Sequence, residues 1–147
     1  MERLQSEIVA LLVRLGAGGI AFQQGKFESI RHTPPKGLIV RYGYLIHFNV
    51  QGHPHQMQVA ALPLRSETSA KKQQVLRQAL FVVRDQLKAM VTAIVFAPGS
   101  APLVPYMLVP GTQQTVGEYI LSSANLPNMN PQLAAGRIVD VKGEVVE

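Results

Sequence analysis

The stretch VRYGYLIHFNV at Val40–Val50, followed by QG and then by HPHQMQVAAL ending at Leu62, decides the fold. Val40, Tyr42, Tyr44, Ile46, Phe48 and Val50 alternate with Arg41, Gly43, Leu45, His47 and Asn49, the period of a strand with one apolar face. Gln51-Gly52 is a two-residue turn signal, because glycine reaches positive φ without steric cost. The return strand, His55 to Leu62, carries Met57, Val59 and Ala61 on the matching face and Gln56 and Gln58 on the other. A two-residue turn pairs Ile46 with Met57, and a four-residue turn pairs Phe48 with Met57. Either register buries the same face. The opposite face reads as polar and scarcely charged, with Arg41, His47, Asn49, Gln56 and Gln58.

Outward from this hairpin, the chain reads as helical on both sides. Pro63 ends the return strand, and Ser66-Glu67-Thr68-Ser69 offers N-caps for a long helix from Ser69 to Ile94. Leu76, Ala79, Leu80, Val83, Leu87, Met90, Val91 and Ile94 recur at three-and-four spacing, which predicts one buried stripe. Upstream, residues 2 to 15 predict a first helix buried through Leu4, Ile8, Leu11, Leu12 and Leu15 and stopped by Gly16. Ile20–Gln23 reads as a short strand with Lys26–His32 as its partner, and Thr33-Pro34-Pro35-Lys36-Gly37 as a loop. Downstream come a strand from Leu103 to Val109, a Pro110-Gly111-Thr112 turn, a short helix from Val116 to Ser123, and a loop over Asn125–Gln132. Ile138–Val141 and Glu144–Val146 read as a closing hairpin around Lys142-Gly143, or as an arm that docks on a neighbour. The expected fold is α+β: a two-layer domain in which an antiparallel sheet of three or more strands carries a long helix across it and an N-terminal helix beside it. The domain is expected over residues 1–124, with 125–147 as a loop and C-terminal extension.

Composition narrows the chemistry. The chain has 147 residues, 47% hydrophobic and 16% charged, enough for one core and poor in charge to cover it. An apolar remainder suits a partner or a second copy of the chain. Net charge is +5, and it is uneven: residues 1–88 hold twelve Lys/Arg against five acids, and the remainder is slightly acidic. Such a bias suits a polyanion. The absence of cysteine excludes disulfides, thiolate zinc sites and thiol catalysis. The first residues, Met1-Glu2-Arg3-Leu4, lack the apolar core of a signal peptide. Ala89–Gly117 holds no charge, yet Pro98, Pro102, Pro105 and Pro110 interrupt it, so no membrane span or membrane partner is expected.

The candidate site lies on the long helix. Arg77, Phe81, Arg84 and Lys88 share one side, about a third of a turn from the buried stripe. Three cations around an aromatic ring suit phosphates and a stacked base. Lys71 and Lys72 in the first turn oppose the helix dipole, a small cost that favours a use for them, and Arg41 and Phe81 are secondary contacts. The same residues also read as a solvated face on which long stems cover apolar surface. His53-Pro54-His55 sets two imidazoles at strand spacing, but no third ligand is near, and the expectation is a turn or polar contact with no metal. Gly16-Ala17-Gly18-Gly19 follows a helix instead of a strand, so it is no phosphate loop, and Gly99-Ser100-Ala101 is no nucleophile elbow. Catalytic residues and cofactors are therefore expected to be none. Asp85 and Lys88 stand at ordinary surface-pair spacing.

Several short motifs occur in a fixed order: Ser6-Glu7-Ile8, Leu11-Leu12, Arg14-Leu15-Gly16-Ala17, Leu62-Pro63, Leu76-Arg77-Gln78-Ala79-Leu80, Leu87-Lys88-Ala89, Met107-Leu108-Val109-Pro110-Gly111 and Gln114-Thr115-Val116-Gly117-Glu118-Tyr119. In that order the chain resembles an uncharacterised family of small proteins from bacteriophages and integrated mobile elements. It departs from that pattern around Gln23–Tyr42 and at Pro102-Leu103-Val104-Pro105. The resemblance implies a phage or mobile-element setting, in the cytoplasm of a bacterial host cell, and no activity. The order helix, three strands, helix, with Ser69-Ala70-Lys71-Lys72 opening the second helix, is more loosely similar to the double-stranded-RNA-binding domain. The expectation is an accessory protein that binds nucleic acid through the basic helix face. The alternative is a non-enzymatic interaction or assembly protein that forms a homo-oligomer or binds a phage or host protein.

Overall fold

The computed structural model describes residues 2–31, 34, 36–64, 68–123 and 137–145. Helix α1 spans Glu2–Arg14, strand β1 Ala17–Arg31, β2 Gly37–Val50, β3 His53–Ala60, helix α2 Ser69–Phe96, α3 Val116–Ser123 and strand β4 Arg137–Val145. The four strands form one antiparallel sheet in the order β3-β2-β1-β4. Helices α1 and α2 pack together on one face of it, which is the expected α+β arrangement.

The two-residue turn is the one adopted. Gln51 and Gly52 both take positive φ, 51° and 79°, and Val50 pairs with His53 and Ile46 with Met57. Two successive positive φ values give the twist that an antiparallel hairpin needs. Tyr44, Ile46, Phe48 and Met57 are buried on the helix side, as the alternation requires. They meet Ile20 and Phe22 of β1, Leu4, Ile8, Leu11 and Leu12 of α1, and Leu76, Leu80, Val83 and Leu87 of α2. Gly16 ends α1, its N–H bonded to Val13 O at 3.0 Å.

Three expectations are corrected. Ile20–Gln23 and Lys26–Arg31 are not partners but one continuous strand, β1, because both halves pair with β2. Gln24-Gly25 reads locally as a turn, yet Gly25 sits opposite Gly43 in mid-sheet. The strand expected from Leu103 to Val109 is a single 3-10 turn at Val104–Tyr106 with two bridge residues, Met107 against His55 and Leu108 against Thr115. Pro105 accounts for this, since it lacks a ladder donor and its fixed φ suits the first turn of a helix. Lys142-Gly143 is no hairpin turn: it lies within β4, paired with Gln24 and Gln23. The C-terminal stretch thus joins the sheet beside β1. The Asn125–Gln132 loop lies outside the described residues.

Burial departs from the simple pattern in two places. The buried stripe of α2 stops at Leu87: Met90 and Val91 are half-buried and Ile94 is exposed, so the helix outruns the core. The sheet face away from the helices is not merely polar. Phe27, Leu45 and Gln56 on that face are buried, and His47 Nε2 donates to Gln23 Oε1 at 2.9 Å there. Burial pushes the His47 imidazole below its usual pKa, because desolvation disfavours the charged ring.

The motif Thr115-Val116-Gly117-Glu118 has a structural cause. Thr115 Oγ1 accepts from the Glu118 backbone N–H at 3.2 Å and donates to Glu118 Oε1 at 3.1 Å. This is a relative of the capping box, and it starts α3. A Cβ on Gly117 would lie 3.1 Å from Pro105 O, so α3 seats closely on the 3-10 turn.

Candidate nucleic-acid interface

Thr68 caps α2, its side chain accepting from the Lys71 backbone N–H at 3.3 Å. From there each residue advances about 100° around the axis. That places Arg77, Phe81, Arg84 and Lys88 within a sector of roughly 60°. Lys71 and Lys72 stand well outside it, about 120° and 140° from Arg77 on opposite sides. The five cations of the helix therefore do not converge.

Each candidate has a definite place. Lys72 turns toward the sheet, with Nζ 4.6 Å from the centroid of the Tyr42 ring. Lys71 is exposed on another side of the helix. Arg41 lies on the opposite face of the sheet. Its Nε donates to Ala61 O at 2.8 Å and its Nη2 to Ala60 O at 3.0 Å, so it satisfies carbonyls where β3 ends. What remains together is Arg77, Phe81, Arg84 and Lys88.

Phe81 is half-buried at the margin of the core. The Arg84 guanidinium carbon is 4.7 Å from its ring centroid and that of Arg77 is 5.5 Å. A guanidinium held over an aromatic face loses less freedom when it meets an anion than one on a free stem. The ring is thus a platform for two guanidinium groups. It is not the open surface for base stacking that its sequence position suggests. Arg77 and Lys88 are exposed and, among the described residues, have no carboxylate within ion-pair distance.

Arg84 differs from both. It reaches across to α1, where Nη1 lies 3.4 Å from Glu7 Oε2. Its Nη2 and Nε lie 3.2 and 3.3 Å from Asp85 Oδ1. Glu7 also takes Arg3 at 3.6 Å. Asp85 therefore serves its neighbour Arg84, where i,i+3 spacing had suggested Lys88. Glu7 was not legible as a member of this site, because it stands 77 residues from Arg84 and only helix packing joins them. Among the described residues after α2, Tyr106 docks on another side of the helix: Gln86 Nε2 donates to its OH at 2.6 Å, about 140° round the axis from Phe81.

The histidines of His53-Pro54-His55 make a turn contact. His55 is buried, stacks on Phe48 at 5.3 Å and donates from Nδ1 to His53 O at 2.8 Å. Pro54 O accepts from Leu108 N–H at 3.0 Å, tying the later segment to the edge of β3. Among the described residues no group of three His, Asp or Glu stands together as metal ligands, and no helix is long and apolar enough to cross a membrane.

Comparison with known proteins gives no matching family model, no matching curated protein and no matching solved structure.

Proposed function

We propose that the chain is a nucleic-acid-binding accessory protein of a phage or mobile element, contacting phosphates through Arg77, Arg84 and Lys88. The observation that carries this reading is the pair of guanidinium groups seated on Phe81, with an exposed Lys88 one turn further along the same side of the helix. Phosphates attract such groups without regard to sequence, so binding is expected to be salt-dependent and weakly selective. The setting rests on the order of short motifs between Ser6 and Tyr119, and the basic first half of the chain agrees with it.

Fluorescence anisotropy with labelled single- and double-stranded oligonucleotides tests this reading. Replacing Arg77, Arg84 and Lys88 together with Ala should flatten the dependence of log K on log salt by roughly 0.7–0.9 for each lost phosphate contact. Replacing Lys71 and Lys72 with Ala should change it far less. Wild-type protein that shows no salt-sensitive binding to either strand form would end this reading.

A second reading, self-assembly, is favoured by the far end of α2. Phe96 is 83% exposed and Val95 69%, and Val82, Ala89 and Phe96 recur every seven residues on an exposed side. Seven-residue spacing is how helices pack against one another, so the partner proposed is a second copy of this chain. Light scattering of the wild type should then give a dimer that Phe96→Ser with Val82→Ser converts to monomer. A monomeric wild type at high micromolar concentration removes this reading.

A further inference from the structure

We infer that Glu7 and Asp85 act as built-in competitors for Arg84, so that these two carboxylates set how tightly the basic face holds a polyanion. This inference rests on the nucleic-acid reading and deepens it.

Arg84 is the least exposed cation of the face, its side chain 22% accessible, and three of its N–H donors are already directed at carboxylate oxygens. A guanidinium has five donors in a rigid fork. A phosphate arriving in the sector can take the remaining outward donors, or it must displace Glu7 or Asp85. Either route brings a dianionic or monoanionic group beside two negative charges. Arg77 and Lys88 face no such competition, as none of the described carboxylates pairs with them. The face therefore has two unencumbered cations at its ends and a neutralised one in its middle. Glu7 belongs to α1 and Asp85 to α2, so the balance depends on how the two helices sit together. Arg84 sits over Phe81 and meets both carboxylates at once, because ring contact and ion pairing use different parts of the guanidinium.

Removing the charge while keeping the shape separates these roles. Glu7→Gln, Asp85→Asn and the double variant are compared with wild type by anisotropy on a labelled single-stranded oligonucleotide from low to moderate salt. Each single change is expected to tighten binding about two- to fivefold at low salt and the double change roughly tenfold, with the gain shrinking as salt rises. In an Arg84→Ala background Glu7→Gln should give little or no gain. Thermal melting of each variant accompanies the titrations. Wild-type binding that neither substitution tightens, with a lowered melting temperature, makes Glu7 a structural partner only and overturns the inference while leaving the interface reading intact. A gain that persists undiminished without Arg84 also overturns it, since the carboxylate would then be acting by general repulsion. If no variant binds at any salt, the interface reading itself is overturned.

Discussion

Gly43→Val is expected to destabilise the protein by roughly 3 kcal/mol or more, in the upper range for a single substitution. A Cβ at position 43 would lie 1.9 Å from Val59 O and 2.8 Å from Ala60 Cα. Both obstacles are backbone of the neighbouring strand, so no side-chain rotation relieves the overlap. The only relief is for β3 to move away from β2, which breaks the pairing of Gly43 with Ala60 and of Tyr44 with Val59. The Arg41 bonds to Ala60 O and Ala61 O would go with it. Urea denaturation followed by far-UV circular dichroism measures the effect. A midpoint equal to that of wild type would mean that the strands do not approach this closely. Gly43→Ala should act in the same direction, because the clash begins at the first side-chain atom.

Leu80→Ala is expected to cost about 2–5 kcal/mol, through lost burial and the cavity left between α2, α1 and the sheet. Leu80 is fully buried, and its neighbours in the cluster come from both other parts of the layer. The informative comparison is Ile94→Ala on the same stripe of the same helix. Ile94 is 39% exposed, beyond the end of the core, and its truncation should stay within about 0.5 kcal/mol. Equal losses at the two positions, read from denaturation midpoints, would show that the helix end is covered in solution.

Local signals fixed the parts of this molecule that local forces hold. The start of α2 was legible from the cap candidates Ser66-Glu67-Thr68-Ser69, of which Thr68 bonds the Lys71 N–H, and in α3 Thr115 bonds the Glu118 N–H at the same spacing. The hairpin register was legible to within one alternative, and the structure takes the two-residue turn, with Val50 opposite His53. The split of β1 into two short strands failed for a non-local reason. Gln24-Gly25 has turn chemistry, but continuous pairing with β2 from Ala21 to Arg31 on one side and pairing with β4 on the other hold it extended. The 3-10 turn that stands in place of a strand at Leu103–Val109 has a local cause, Pro105, which has no N–H for a ladder.

The candidate site divides in the same way. Helical spacing alone grouped Arg77, Phe81, Arg84 and Lys88, and the same arithmetic separates Lys71 and Lys72 from them. Arg41 was legible as a cation on the outer sheet face, but nothing in its neighbourhood in sequence told that Ala60 O and Ala61 O would take it. The Lys72 contact with Tyr42 and the Arg84 contact with Glu7 join residues 30 and 77 positions apart, and no periodicity encodes them.

Spacing along the chain sufficed for the helix-facing side of the β2–β3 hairpin, for the places where the helices begin, and for a cationic cluster along one helix. Those are properties of spacing along a chain whose helical and extended repeats are set by backbone geometry. Only the tertiary structure decided which cations remain open to a partner, because that depends on which carbonyls, rings and carboxylates folding brings beside them. Electrostatic attraction acts through distance in space, and distance in space between remote residues is set by packing.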